Sequence, residues 1–386
     1  MRPRLLLSAT TDLTYDQRMA RTSAALAAVG YDVLLVGRAL PASIPLPADP
    51  AYAQHRLRCR FHSGKLFYLE FTARLAWFLL RQPAPAAYGA VDLDTALPVW
   101  LAAQLKRRPW VYDAHELFTE VPEVVARPAV QRIWRWIEAF VVPRATRAYT
   151  VGPALAQTFQ ARYGRPFGVV RNVPAAAESP PAPVPPPGLA SLSAAASVLP
   201  APRIILYQGA LNVGRGLEQL LAALPLVEAS ARLIICGEGD LSDSLRARVA
   251  ADPALATRVE FRGFVVPAEL RVLTRTAWVG TMLLENRGLS YYYSLANKFF
   301  DYVQAGVPQV CIDFPEYRAL NEEYEVAALV PDLTPATLAA ALNRVLIDDG
   351  YHARLAATCA RAAQEWNWER ERAAVGRIFG EAVGAR

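Results

Sequence analysis

The sequence predicts an α/β protein of two doubly wound domains, each a parallel sheet covered by helices. Three observations predict this. Short apolar runs alternate with stretches of helical apolar spacing in both halves of the chain, and a proline-rich segment separates the halves. The length of 386 residues also exceeds what one hydrophobic core usually supports, which favours two domains of roughly 170 to 190 residues.

Arg4–Ser8 is an apolar run, residues 16–29 show helical spacing closed by Gly30, and residues 32–36 are apolar again, a βαβ opening. The alternation resumes with strands expected at 204–207, 233–236 and 259–261 and helices at 217–224 and 241–250. Between them, residues 174–202 carry Pro180, Pro181, Pro183, Pro185, Pro186 and Pro187, which sustain neither helix nor sheet, so this segment reads as the linker. Residues 366–379 look helical and are too few for a domain, so they are expected to dock on one already built. The predicted division is therefore 1–173, 174–202, 203–365 and 366–386.

Composition narrows the function. A hydrophobic fraction of 53% ensures buried cores, yet no stretch approaches the roughly 18 apolar residues that span a bilayer. The first ten residues read as a strand entering a polar loop rather than a secretory signal, so a cytoplasmic protein is expected. Cys59, Cys236, Cys311 and Cys359 are scattered, arguing against a disulfide framework or a zinc knuckle. The net charge of +6 suggests an anionic partner: a nucleotide, a phospholipid surface or a nucleic acid. Nearly all the positive charge is arginine, the lysines being Lys65, Lys106 and Lys298. Nucleic acid is disfavoured because no basic stripe with stacking aromatics stands outside helices that read as core.

Three constellations carry chemistry. In the loop 209–216, a strand ends in glycines and a helix begins beside Arg215; it reads either as a phosphate loop or as a tight turn with a surface arginine. Gly237, Glu238, Gly239 and Asp240 follow an apolar strand and suit a nucleotide base or ribose, or simply a strand-to-helix turn. In residues 289–306, Ser294 is expected to cap a helix starting near Leu295, which places Lys298 in its first turns and Asp301 on the same face. A cation there opposes the helix dipole, a misfit that a bound diphosphate would reverse.

Taken in order, several segments resemble the retaining family 4 glycosyltransferases of the GT-B fold. They are residues 15–18, Val91 to Asp94, Val111 to Glu116, Val170 to Val173, the 209–216 loop, Gly237 to Gly239, Phe261 to Gly263, and Asn297-Lys298 through Pro308. The resemblance implies two Rossmann-like domains facing a cleft, an N-terminal domain for the acceptor, a C-terminal domain for a UDP- or GDP-sugar, and a last helix returning to the N-terminal domain. It assigns Arg215 and Lys298 to the diphosphate and Asp301 to the ribose. Gly209, Gly237, Glu238, Ser294 and Leu295 fall on the donor side, Asp16, Arg18 and Glu116 on the acceptor side, and His115 near the transferred sugar with Glu116 holding its tautomer. The family's acidic pair is spaced eight residues apart, and counting back from Asp301 reaches Tyr293, so the sugar contact is open between Tyr293 and Glu285. No cofactor beyond the donor and no metal is expected; Asp92-Leu-Asp94 matches a metal motif of another fold but reads better as a strand end.

The resulting expectation is sugar transfer to a glycan or lipid-linked acceptor hydroxyl with retention. A nucleotide-sugar epimerase of the same fold and a non-catalytic nucleotide-sugar binder remain as alternatives. Two N-terminal helices, residues 65–81 and 128–142, carry aromatic stripes of the kind that pack a core. Their arginines Arg74, Arg81, Arg132 and Arg135 equally suit a peripheral helix at the inner face of a membrane.

Overall fold

A computed structural model describes residues 2–46, 51–176 and 202–385. The predicted linker lies outside the described residues except for its ends at 174–176 and 202. The chain divides into two compact units. The first comprises Met1–Asn172, Gly288–Ser294 and Trp368–Arg386; the second comprises Val173–Arg287 and Leu295–Asn367.

The first half runs β1 (Arg4–Ser8), α1 (Gln17–Ala28), β2 (Asp32–Ala39), β3 (Ala53–Arg58), α2 (Gly64–Arg81), β4 (Ala87–Val91), α3 (Asp92–Lys106) and β5 (Trp110–Ala114). A 3-10 turn at Phe118–Glu120 follows, then α4 (Pro122–Val125), α5 (Pro128–Val141), β6 (Arg147–Thr150), α6 (Pro153–Tyr163) and β7 (Gly168–Val169). The seven strands pair in parallel in the order β3-β2-β1-β4-β5-β6-β7. Central strands buried on both faces need continuous apolar runs, which β1 supplies with Leu5, Leu6 and Leu7, all at most 1% exposed.

The second half runs β8 (Ile204–Gln208), α7 (Leu217–Ala223), β9 (Arg232–Cys236), α8 (Ser242–Ala251), α9 (Pro253–Ala256), β10 (Val259–Gly263), α10 (Pro267–Thr276) and β11 (Val279–Met282). After α11 (Leu289–Tyr292) come α12 (Asn297–Gln304), β12 (Gln309–Ile312), α13 (Pro315–Glu323), β13 (Ala327–Val330), α14 (Pro335–Ile347), α15 (Asp349–Glu365) and α16 (Trp368–Gly384). Its parallel sheet has the order β10-β9-β8-β11-β12-β13. Both sheets thus reverse strand order beside their first strand, the point at which a doubly wound sheet opens its ligand crevice.

The last helix, α16, packs on α1, β4, β5 and β6 of the first unit, with Val375 and Phe379 buried in the core that holds Leu5 and Val33. It begins at Trp368 rather than 366, because Trp366 closes α15, its backbone N–H donating to Ala362 O at 2.7 Å.

The two aromatic helices behave differently. On α2, Phe67, Phe71 and Leu75 face the core as their spacing predicts, whereas Phe78 is only partly buried and stacks on His55. On α5 the core reading fails for Ile133, which is 60% exposed; Trp134 and Ile137 are partly buried, and the fully buried positions are Glu138 and Val141. Polar partners in the body of the first unit, Thr119 and Tyr163, hold the Glu138 carboxylate inward, and Ile133 stays at the surface.

Candidate functional site

In the second unit, the strand ends of β8 and β9 are built on close backbone approaches. Gly237 has φ +135°, and a Cβ there would lie 1.9 Å from the Gly209 carbonyl oxygen, so no other residue fits without moving the turn. Gly216 precedes α7 at φ +71°, where a Cβ would meet Leu283 O at 2.2 Å. These contacts place Arg215 at the mouth of the loop, half-buried.

Lys298 is the second residue of α12 and is 8% exposed. Its ammonium sits 3.9 Å from the centroid of the Tyr207 ring at the end of β8. Burial, followed by the nearby Arg215 guanidinium, pushes its pKa down to about 7, against a smaller raising effect of the Cys311 thiol. Among the described residues no carboxylate forms an ion pair with Lys298. Two cations therefore share one strand-end site at a helix start, where an anion would lower the electrostatic cost of their proximity.

Asp301 lies one helical turn beyond Lys298 and accepts from Gln208 Nε2 at 3.3 Å, while Thr274 Oγ1 donates to Gln208 Oε1 at 2.8 Å. The backbone N–H of Glu285 donates to Gly214 O at 2.9 Å, which sets Glu285 beside the 209–216 loop, its carboxylate bridged to Arg287 at 2.8 Å. Tyr293, by contrast, ends α11 and belongs to the first unit, its ring against Tyr292. Glu238 is exposed and bridged to Arg246 at 2.5 Å. The expected Ser294 cap is corrected: α12 starts at Asn297 with Ala296 at the cap position, and the Ser294 backbone N–H donates to Tyr291 O. The residues after Ser294 are extended because the Tyr317 hydroxyl accepts from the Ala296 N–H, delaying the helix. Leu295 is buried as a packing residue.

The first unit gathers its charge at the ends of β1, β4 and β5. Arg18 donates to Asp113 Oδ1 at 2.9 Å and to Val170 O at 3.1 Å, with both ionic side chains 4% exposed. His115 Nε2 lies 3.0 Å from Asp113 Oδ2, and Nδ1 lies 3.6 Å from Asp92 Oδ2. Asp113, two residues before His115 at the end of β5, and Asp92 face the two ring nitrogens of the imidazole, whose tautomer the sequence reading gave to Glu116. That spacing was the available signal for Asp113, whereas Asp92 arrives from another strand end.

Asp92 also accepts from the His115 N–H at 2.8 Å, and its backbone has φ +55°. Asp94 accepts from the Thr10 hydroxyl. Although burial opposes each charge, Asp113 and then Asp92 raise the His115 pKa, while Arg18 and His115 hold Asp113 well below the usual carboxylate range. Burial, then the Asp92 carboxylate, pushes Asp94 up to about 7. Asp16 caps α1, its carboxylate accepting from Met19 N at 3.0 Å and Thr11 Oγ1 at 2.7 Å. Among the described residues, no group of three or more His, Cys, Asp or Glu is disposed to hold a metal ion, and no helix is long and apolar enough to cross a membrane.

Two family profiles match: "Glycosyl transferase 4-like domain" over residues 15–176 and "Glycosyl transferases group 1" over residues 202–348. No curated protein matches the chain in sequence. Among solved structures, sucrose-phosphate synthase from Thermosynechococcus elongatus superposes with a TM-score of 0.77 at 20% identity, covering 100% of both chains. Anabaena HepE in complex with UDP and glucose gives 0.75 at 15% identity, again over 100% of both. WaaG, a glycosyltransferase involved in lipopolysaccharide biosynthesis, gives 0.70 at 14% identity over 98% of this chain and 100% of that one. These likenesses establish the GT-B architecture, and the profile matches, spanning most of the sequence, place this chain in the group 1 glycosyltransferase family.

Proposed function

We propose that the chain transfers a hexose or related sugar from a UDP- or GDP-sugar to an acceptor hydroxyl with retained configuration, without a metal. The observation that carries this reading is the buried Lys298 ammonium beside Arg215, a cationic site whose cost a bound diphosphate would offset. The bond between the anomeric carbon and the leaving phosphate oxygen breaks, the acceptor oxygen bonds to that carbon, and the acceptor proton passes to the departing phosphate. Negative charge grows on the diphosphate during the step, where Lys298 and Arg215 neutralise it. Asp301 is assigned to the ribose, and Glu285, beside the same loop, to the sugar. His115 is assigned near the transferred sugar as an orienting group, its ring held between Asp113 and Asp92.

Lys298→Ala should lower transfer by about a hundredfold to a thousandfold. Its melting temperature should be unchanged or higher, because a buried unpaired cation is removed. Transfer and nucleotide release at wild-type rates would refute the assignment. Screening UDP-, GDP- and ADP-sugars by thermal shift identifies the donor, and NMR of the anomeric product tests retention.

A further inference from the structure

The inward face of α5 carries Trp134, Ile137 and Val141 and, among them, the carboxylate of Glu138. Glu138 is fully buried, accepting from Tyr163 Oη at 2.5 Å and Thr119 Oγ1 at 3.1 Å, while Gln131 Nε2 donates to Thr119 O at 2.9 Å and Arg135 pairs with Glu120 at 3.2 Å. Its outward face carries Ile133, 60% exposed, and Trp136, 67% exposed, beside the exposed Arg132 and Arg135. The outward face of a surface helix is ordinarily polar.

Helix α2 repeats the pattern in another form. One stripe is buried in the core, and on the opposite side Leu69 and Trp77, eight residues apart, are 68% and 58% exposed. A helix that is apolar on both sides has an apolar neighbour on both sides, or a site waiting for one. Helix α3 packs against both α2 and α5 and adds Leu101 and Leu105, also exposed. Aromatic rings tie the three together: Tyr68 of α2 meets Trp134 of α5 at 5.3 Å, and Trp100 of α3 meets Phe140 of α5 at 4.8 Å. The outward apolar residues thus belong to one helical layer.

Its charge is one-sided. Arg74, Arg81, Arg132 and Arg144 are exposed around it, whereas none of the acidic residues of the three helices, Glu70, Asp92, Asp94 and Glu138, is exposed. Glu70 is occupied by Arg74 and by the backbone N–H groups of Arg60 and Phe61. Two arginines lie over aromatic rings, Arg81 on Trp77 at 4.0 Å and Arg144 on Phe140 at 4.1 Å, which pairs a cation with an apolar body.

We propose that this face docks on an anionic lipid bilayer. Ile133, Trp136, Leu69 and Trp77 enter the boundary between headgroups and acyl chains, and the arginines take the headgroup phosphates. Charge complementarity selects this occupant, because a second copy of the chain would bring the same arginines against each other.

Flotation with phosphatidylcholine vesicles, with and without phosphatidylglycerol, tests it. The wild type should float with the anionic vesicles, and binding should fall roughly tenfold or more in their absence or in high salt. The double variant Ile133→Glu/Trp136→Glu should lose flotation to a similar degree while keeping its melting temperature and its UDP affinity. Leu69→Glu tests the same face from α2. Absence of flotation, unchanged flotation of these variants, or a dimer that they convert to monomers would overturn the proposal. UDP affinity, measured alongside, reports on the transferase reading separately.

Discussion

At the strand ends of the first unit, Asp92, Asp94 and Asp113 stand against Arg18 and His115; in the second unit, Arg215 and Lys298 stand among glycines. The two sheets share the order 3-2-1-4-5-6 in their first six strands, so the backbone offers the same crevice twice. The difference lies in who neutralises the charge. In the first unit each buried cation faces a carboxylate of the same unit, and the network is held by its own ion pairs. In the second, Lys298 meets a ring face and another cation, and among the described residues no carboxylate pairs with it. Under the proposed function, the first strand end is finished by folding and the second by the donor diphosphate.

The largest effect should come from breaking the self-compensated end. Asp113→Ala strands Arg18 in the interior and should cost about 3–5 kcal/mol of stability by chemical denaturation. A loss below about 1 kcal/mol would erase the contrast between the two units.

Next in size is the pH dependence of nucleotide binding. The free lysine titrates at about 7, and a bound diphosphate raises that value, so binding above neutrality takes up a proton. Affinity for UDP should therefore fall as pH rises above about 7, by up to tenfold per unit. Calorimetry in buffers of different ionisation heat should show proton uptake that Lys298→Met abolishes. Zero uptake at alkaline pH would mean that the site does not use this ammonium.

A smaller effect belongs to His115. Its folded pKa is raised above the ordinary 6.5, so its contribution to stability is complete below that value and is lost as pH rises through the folded pKa. His115→Gln should remove that loss, flattening the melting temperature above neutrality, and cost about 1–2 kcal/mol at lower pH. An unchanged pH profile would show that Asp113 and Asp92 do not hold the imidazolium.

Much of this was legible in the residues. Runs such as Leu5 to Leu7 and Leu233 to Cys236 are apolar at consecutive positions, which only a strand buried on both faces requires, and Gly30 and Gly216 mark helix boundaries where the backbone turns left-handed. Arg215 and Lys298 stood out because few lysines exist and one lies at a helix start. The Ser294 cap failed because a hydroxyl from Tyr317, distant in sequence, takes the N–H that would have been capped.

The sequence by itself determined the alternation of elements, the two parallel sheets and the glycine-built turn of the 209–216 loop, since these follow from local spacing and backbone freedom. Only the tertiary structure decided that Asp113 and Asp92 flank His115, that Glu285 reaches the loop through Gly214 and that α5 buries Glu138 while Ile133 and Trp136 stay at the surface. An amphipathic pattern defines two faces but not their direction. Direction depends on whether the body of the unit offers partners for Glu138 or for Trp136, and Thr119 and Tyr163, brought from elsewhere in the chain, offered them to the carboxylate.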